Sequence, residues 1–205
     1  MRALYLLPIL ATACSQQAVV NNSTSDINTA ADRAQGDIDT YAANNTAAAT
    51  PAPLNPAAPG QPGGLADDKT PVSEAPFTPD SPQGAANVVQ AYYALIGEGK
   101  YADAWKLWGD GGKASGQSAD AFAASFGKYS EYRANIGAPG REDAGAGQRY
   151  VTVPVQPYAR LKDGTAAYWI GSIVLHRTVV DGATADQKAW RIKSIDLKPA
   201  PPAAK

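Results

Sequence analysis

The spacing of hydrophobic residues divides the C-terminal half of the chain into a helical part and a strand part. Between residues 84 and 108, apolar side chains recur every three or four positions. This spacing predicts two amphipathic helices, separated by the Gly-Glu-Gly turn at 97–99. Ser118 is placed to cap a third helix that extends to about Lys128. The domain therefore begins with helices.

After these helices the period of the pattern falls from about 3.6 residues to two. Apolar and polar side chains alternate between residues 151 and 161, as in a strand with one covered face. The Asp-Gly pair at 163–164 is typical of a hairpin turn, and we expect a long strand over 165–180 and a last strand over 189–197. Helices followed by an antiparallel meander predict an α+β domain, with the N-terminal helices packed on a curved antiparallel sheet.

The first residues have the pattern of an export signal. Met1 and Arg2 provide positive charge, residues 3–13 are apolar, and the chain becomes polar after Cys14. The apolar stretch is shorter than the about 20 helical residues that span a bilayer. We therefore expect residues 1–13 to be a signal peptide rather than a transmembrane helix.

The end of this signal carries a further motif around the only cysteine. The sequence Leu-Ala-Thr-Ala-Cys at 10–14 resembles the lipobox of bacterial lipoproteins. The resemblance implies that Cys14 receives acyl chains such as palmitate and anchors the protein to the membrane, on the periplasmic face of the cell envelope and most consistently at the outer membrane. Ala-Thr-Ala at 11–13 is also a site for ordinary signal peptidase, which would leave a soluble protein with a free thiol.

The segment from 14 to 83 reads as a disordered tether. It is rich in Ala, Asn and Pro, with nine prolines between Pro51 and Pro82 that disfavour helices. The alanine-rich stretch 28–49 lacks an apolar stripe, so we expect no stable helix there. Residues 200–205 read as a disordered tail.

Composition excludes several classes of function. The chain has 205 residues, a formal net charge of -1, one histidine and one cysteine. Near-neutral charge argues against nucleic acid as a partner. A single cysteine excludes an internal disulfide, and one histidine without a cysteine in the domain provides no metal-ligand cluster. We therefore expect neither a metal nor a cofactor.

The ordered half of the chain resembles a known family. The segment AANVVQAYYALIGEGKYADAWKLW and the closing WRIKSIDL resemble the nuclear transport factor 2-like superfamily, whose SnoaL-like or cystatin-like fold is a cone. The resemblance covers about 115 residues and implies a domain over 84–199 with a pocket between helices and sheet. Members include isomerases, cyclases, dehydratases and non-catalytic binding domains, and many dimerise through the sheet.

Candidate chemistry inside such a pocket is sparse. The isomerase-like and cyclase-like branches need a general base in an apolar cavity. His176 is the only histidine, and it is in phase with the more polar residues of the long strand, which predicts that it points outward. No aspartate lies within an apolar run, so the sequence favours binding over catalysis without settling the choice.

Four aromatic residues are candidates for lining the pocket, although their spacing also fits a packed core. The sequence predicts a lipid-anchored envelope protein whose domain binds a small apolar ligand or a protein partner without catalysis. The alternatives are an isomerase- or cyclase-like enzyme and an accessory domain in cell-wall or envelope assembly. The candidate pocket residues are Tyr92, Trp105, Trp108 and Trp169.

Overall fold

The computed structural model describes residues 24–44, 51–68 and 77–203, and it divides into two compact units, residues 1–50 and 51–205. The described residues of the first unit form the helix α1 (Thr24–Asn44). All its side chains from 27 to 42 are exposed. Side-chain bonds one turn apart support it, from Gln35 Nε2 to Asp39 Oδ1 at 2.9 Å and from Thr40 Oγ1 to the Gly36 carbonyl at 2.7 Å. The expectation that this stretch forms no helix differs from the structure.

The second unit consists of helices followed by an antiparallel sheet, which confirms the predicted α+β class. The helices are α2 (Pro82–Gly97), α3 (Tyr101–Lys106), α4 (Ala119–Phe126) and α5 (Ala185–Lys188), with a 3₁₀ helix at Asp110–Ser115. The strands are β1 (Tyr129–Ile136), β2 (Asp143–Gly145), β3 (Gln148–Leu161), β4 (Ala166–Thr178) and β5 (Arg191–Pro199). The described strands follow the order β1-β3-β4-β5, with β2 paired to β3, and each of these pairings is antiparallel.

Capping residues define where the helices begin. The Ser81 hydroxyl accepts a hydrogen bond from the Gly84 N–H at 3.2 Å, and Pro82 occupies the first turn of α2. Ser118 caps α4 in the same way through the Ala121 N–H, as its sequence position predicts. α2 then contacts β1, β3 and β5. α2 therefore lies on one face of the sheet, α3 packs against α2, and α4 packs against α3.

The sheet face under α2, here the inner face, is apolar. Val153, Val155, Ile173, Leu175 and Ile192 have no exposed surface. The predicted phase of β4, with Ile173 and Leu175 toward the core, is therefore observed. Register shifts in the β1–β3 and β4–β5 pairings bend the sheet around this core.

The opposite, outer face of the sheet carries a segment that the sequence analysis assigned to the tether. Residues 51–68, here called the strap, belong to the same unit as the sheet, and Ala57 is only 2% exposed. The domain therefore does not begin at residue 84. Composition missed this because the strap is held through its backbone carbonyls rather than through large apolar side chains.

The C-terminal residues also differ from the expected disordered tail. The Ala200 N–H donates to the Tyr168 carbonyl at 2.9 Å, and the Ala203 N–H donates to the Asn55 carbonyl at 3.0 Å. Pro202 forms an isolated bridge with Pro56 of the strap. The chain is thus packed through residue 203.

The predicted signal peptide, residues 1–13, and Cys14 lie outside the described residues. Within the part of the chain that the structure covers, no helix is long and apolar enough to cross a membrane.

Candidate functional site

A groove of about 800 Å³ lies between α2 and the edge strand β1. Its volume is in the range of about 300–1,000 Å³ that is usual for ligand sites. Its lining combines apolar, aromatic and charged side chains: Gln90, Tyr93, Ala94, Gly97, Ser130, Glu131, Tyr132, Arg133, Ala134, Ile136 and Tyr158.

The groove follows the open edge of β1. β1 ends the strand order, so among the described strands only β3 pairs with it. The Tyr132 carbonyl points away from β3 toward the end of α2, because it lies 3.2 Å from where a Cβ on Gly97 would stand. Backbone groups of alternate residues point to the same side of a strand, so the N–H and C=O of Ala134 face the groove as well. Pro157 lies opposite Ala134 and has no N–H to donate to it.

Stacked aromatic rings form the floor of the groove. Tyr93 stacks on Tyr132 with ring centroids 6.2 Å apart and an interplanar angle of 10°. Phe126 meets Tyr132 edge-on at 5.4 Å. Burial raises the pKa of the Tyr93 and Tyr132 phenols above the ordinary tyrosine value, and neighbouring tyrosines add to the shift. Both phenols are therefore neutral at physiological pH and do not act as bases there.

The charged groups at the rim are paired with each other. The Arg133 Nε lies 2.8 Å from Glu131 Oε1, and the Arg160 Nε lies 3.9 Å from Glu131 Oε2. Because the carboxylate already has cationic neighbours, the groove presents little net charge to a ligand.

Two of the pocket candidates from the sequence, Tyr92 and Trp108, lie in the core. Tyr92 is 3% exposed and Trp108 is 8% exposed, and their rings meet edge-on at 6.4 Å. Tyr92 also contacts Phe122 at 6.3 Å. These rings fill the space between the helices and the sheet rather than line the groove.

The other two candidates, Trp105 and Trp169, have different neighbours. Trp105 Nε1 donates to Ser115 Oγ at 3.0 Å and to the Gln117 carbonyl at 3.1 Å, so it holds the 3₁₀ helix. Trp169 stacks on Tyr132 at 6.1 Å, beneath the groove. The four pocket candidates did not include the lining residues Tyr93 and Tyr132, because tyrosines on an amphipathic helix and an edge strand carry no signal beyond apolar spacing.

His176 lies on the outer face of the sheet, as its phase predicts. It is opposite Tyr150, whose ring is stacked at 6.3 Å with an interplanar angle of 21°. Burial lowers the pKa of His176, the Lys193 ammonium lowers it further, and Asp110 acts in the opposite direction. His176 is not among the residues that line the groove.

The described residues contain no group of three or more His, Cys, Asp or Glu side chains that could hold a metal ion. The groove is thus built from aromatic rings, backbone edge groups and one paired carboxylate.

No family model matches this chain, and no curated protein matches it.

Three solved structures are similar to the chain. A protein from Kribbella flavida is 17% identical with a TM-score of 0.41, and the match covers 56% of this chain and 87% of that one. A nuclear transport factor 2-like superfamily protein from Salmonella enterica is 14% identical with a TM-score of 0.40, covering 60% and 92% of the two chains. A protein from Novosphingobium aromaticivorans, described as a candidate scytalone dehydratase, is 12% identical with a TM-score of 0.41, covering 57% and 82%.

Proposed function

We propose that this chain is a lipid-anchored protein of the bacterial cell envelope whose domain binds an extended segment of a partner protein along β1, without catalysing a reaction. The observation that carries the proposal is the position of the groove, which follows the open edge of β1. An extended peptide can add to such an edge as a further strand.

The backbone of β1 provides the hydrogen bonds for this mode of binding. The N–H and C=O groups of Ala134 point to the open side of β1, so a peptide laid along this part of the edge gains main-chain bonds independent of its sequence. Main-chain pairing supplies affinity in strand addition, and pockets for alternate side chains supply specificity.

The aromatic floor favours apolar side chains of the peptide. Tyr132 and Tyr158, which are partly exposed, offer aromatic surface with a polar tip, as is common at protein interfaces. Because Glu131 is paired with Arg133, the rim neither attracts nor repels strongly charged segments. The partner segment is therefore expected to be extended, apolar at alternate positions and weakly charged.

Binding without catalysis is supported by the protonation states around the groove. The Tyr93 and Tyr132 phenols have raised pKa values and are poor general bases at neutral pH. Glu131 is ion-paired, and His176 lies outside the groove lining. The alternative of an isomerase- or cyclase-like enzyme has no base in place here.

A small apolar ligand inside the cone has weaker support than a peptide. Tyr92, Trp108 and Phe122 are buried between the helices and the sheet, where such a ligand would bind. Binding of a partner segment also agrees with an accessory role in envelope assembly, which was an alternative from the sequence.

The groove is tested by removing one N–H that faces it. Random heptapeptides displayed on phage are selected on the full chain, and the affinity of the synthetic winners is measured by fluorescence anisotropy. Ala134→Pro is expected to weaken binding about tenfold, since it removes a donor and places a ring at the edge. Proline is tolerated at an edge strand, so thermal unfolding should still show a folded domain.

The matched control is Ala134→Ser, which keeps the backbone N–H at the same position and should bind as the wild type does. Equal affinity of the proline and serine variants, with both folded, would show that the selected peptides do not pair with β1. That result would refute the proposed binding mode.

The lipid anchor is tested separately at Cys14. In a Gram-negative host, an alkyne analogue of palmitate is expected to label the wild-type chain and to place it in the membrane fraction. Cys14→Ser should lose both the label and membrane retention, whereas Ser15→Ala should keep them, because the thiol is the proposed site of acylation. A wild-type chain without label would refute the anchor and leave the groove proposal untouched.

A further inference from the structure

The outer face of the sheet holds the strap with a buried amide on β3. Gln156 is 2% exposed. Its Nε2 donates to the Ala57 carbonyl at 2.8 Å and to the Gly63 carbonyl at 3.0 Å, and its Oε1 accepts from Asn135 Nδ2 at 2.9 Å. Both donors of the amide are therefore used on the strap, which positions the strap at two points six residues apart.

Two more side chains of the sheet bind backbone groups of the strap. An Arg160 guanidinium N–H donates to the Ala52 carbonyl. The Tyr168 hydroxyl accepts from the Asn55 N–H at 3.1 Å. We call Gln156, Arg160 and Tyr168 the strap seat. The seat recognises the path of the strap backbone rather than its large side chains.

The sequence of the strap suits this kind of recognition. Prolines at 51, 53 and 56 favour an extended backbone whose carbonyls have no internal partners and are free to accept bonds from the seat. Because proline restricts the unbound segment, docking costs less conformational entropy. A proline-rich extended segment is thus the class of ligand that the seat fits.

Two small residues make the fit selective. Ala57 is 2% exposed, so a larger side chain at this position cannot be accommodated without moving the strap. A Cβ on Gly64 would stand 2.0 Å from the Ala58 carbonyl oxygen. The strap folds into a compact loop there, closed by a bond from the Gly60 N–H to the Leu65 carbonyl at 2.8 Å.

We propose that the strap seat is a binding site for a proline-rich segment, that the strap occupies it as an intramolecular ligand, and that the strap of a second copy of this chain can replace it. The seat uses the same atoms whether the segment is attached or separate. Attachment raises the effective concentration of the chain's own strap to about the millimolar range, so the intramolecular contact dominates in the wild type. The proposal is independent of the groove at β1.

The first experiment displaces the strap and supplies it again as a peptide. A fluorescent peptide with the sequence of residues 51–68 is titrated into the full-length Ala57→Arg chain and followed by anisotropy. The variant should bind the peptide at least about tenfold more tightly than the wild type, whose seat is occupied. Ala58→Arg, at an exposed neighbouring position, is the matched control and should behave as the wild type.

The second step removes the seat in the same chain. Gln156→Glu keeps the size of the side chain but replaces its two donated bonds by a carboxylate facing two carbonyl oxygens. Added to Ala57→Arg, it should abolish peptide binding, whereas Gln90→Glu on α2 should not. Tyr168→Phe, which removes a single acceptor, should weaken the peptide severalfold and guards against a folding defect in the Gln156 variant.

The decisive test combines two complementary defects. Gln156→Glu has an intact strap and no seat, and Ala57→Arg has an intact seat and no strap. Analytical ultracentrifugation should find each variant monomeric alone and a heterodimer only in the mixture. The proposal is overturned if the mixture stays monomeric, if the peptide fails to bind an Ala57→Arg chain whose strap limited proteolysis shows to be released, or if the strap of that variant stays as protected as in the wild type.

Discussion

Strands β3 and β4 form different interactions on their two faces, apolar burial on one and hydrogen bonds on the other. On the inner face, Val155 and Ile173 are fully buried among apolar side chains. On the outer face, Gln156 and Tyr168 hold the strap through directed hydrogen bonds. Apolar burial depends on the area removed from water and has no preferred direction, whereas a hydrogen bond depends on one donor and one acceptor in a set geometry. The inner face therefore fixes global stability, and the outer face fixes the position of one segment.

The largest effect is expected on the inner face. Ile173→Ala removes a fully buried side chain at the centre of the core and should lower the free energy of unfolding by about 2–5 kcal/mol. Urea denaturation followed by tryptophan fluorescence measures this change. Val180, which is 46% exposed, provides the control, since Val180→Ala should change the free energy by no more than about 0.5 kcal/mol.

The contrast between the two faces requires that the outer-face substitution Gln156→Ala lower global stability less than the inner-face substitution Ile173→Ala. Gln156→Ala should release the strap before the rest of the domain unfolds. Proteolysis of residues 51–68 should therefore become faster, while the urea midpoint of the domain should fall less than it does in Ile173→Ala. A Gln156→Ala variant with a larger loss of global stability than Ile173→Ala would mean that the strap is an integral part of the folding core.

Periodicity was sufficient to predict the inner face. The amphipathic spacing in α2 and the alternation in β3 identify which side chains are buried, because burial of one face imposes that spacing. Ser118 and the phase of Ile173 and Leu175 were predicted for the same local reason. Each of these features is encoded within a few consecutive residues.

The outer face and the groove could not be predicted in this way. The strap is bound through the backbone carbonyls of Ala52, Ala57 and Gly63. Because every residue type has a backbone carbonyl, the amino-acid composition of the strap does not predict this contact. The groove depends on β1 being the edge strand, which is a property of strand order. Tyr92 and Tyr93 are adjacent in sequence and both are buried, and only the packing places Tyr93 also at the wall of the groove.

The smallest effect is expected at His176, on the part of the outer face around Tyr150. Burial and Lys193 lower the pKa of His176 in the folded chain. The unfolded chain therefore binds a proton more readily, with a pKa of about 6.5. The contribution to stability is complete above that pH and is lost as the pH falls through the folded-state pKa. The thermal midpoint of the wild type should accordingly fall slightly between about pH 7 and pH 5.

His176→Gln should remove this part of the pH dependence of the thermal midpoint. Two further variants change the charges next to His176 and should change the slope of the midpoint against pH in opposite directions. Lys193→Gln removes a repulsive charge, so the folded-state pKa of His176 rises and the slope becomes shallower. Asp110→Asn removes the opposing carboxylate, so the slope becomes steeper. Because His176 is the only histidine, carboxylates supply the remaining pH dependence at lower pH. An identical slope in the wild type and His176→Gln would show that this imidazole is as hydrated in the folded chain as in the unfolded one, and that the outer face around it makes no protonation-sensitive contact.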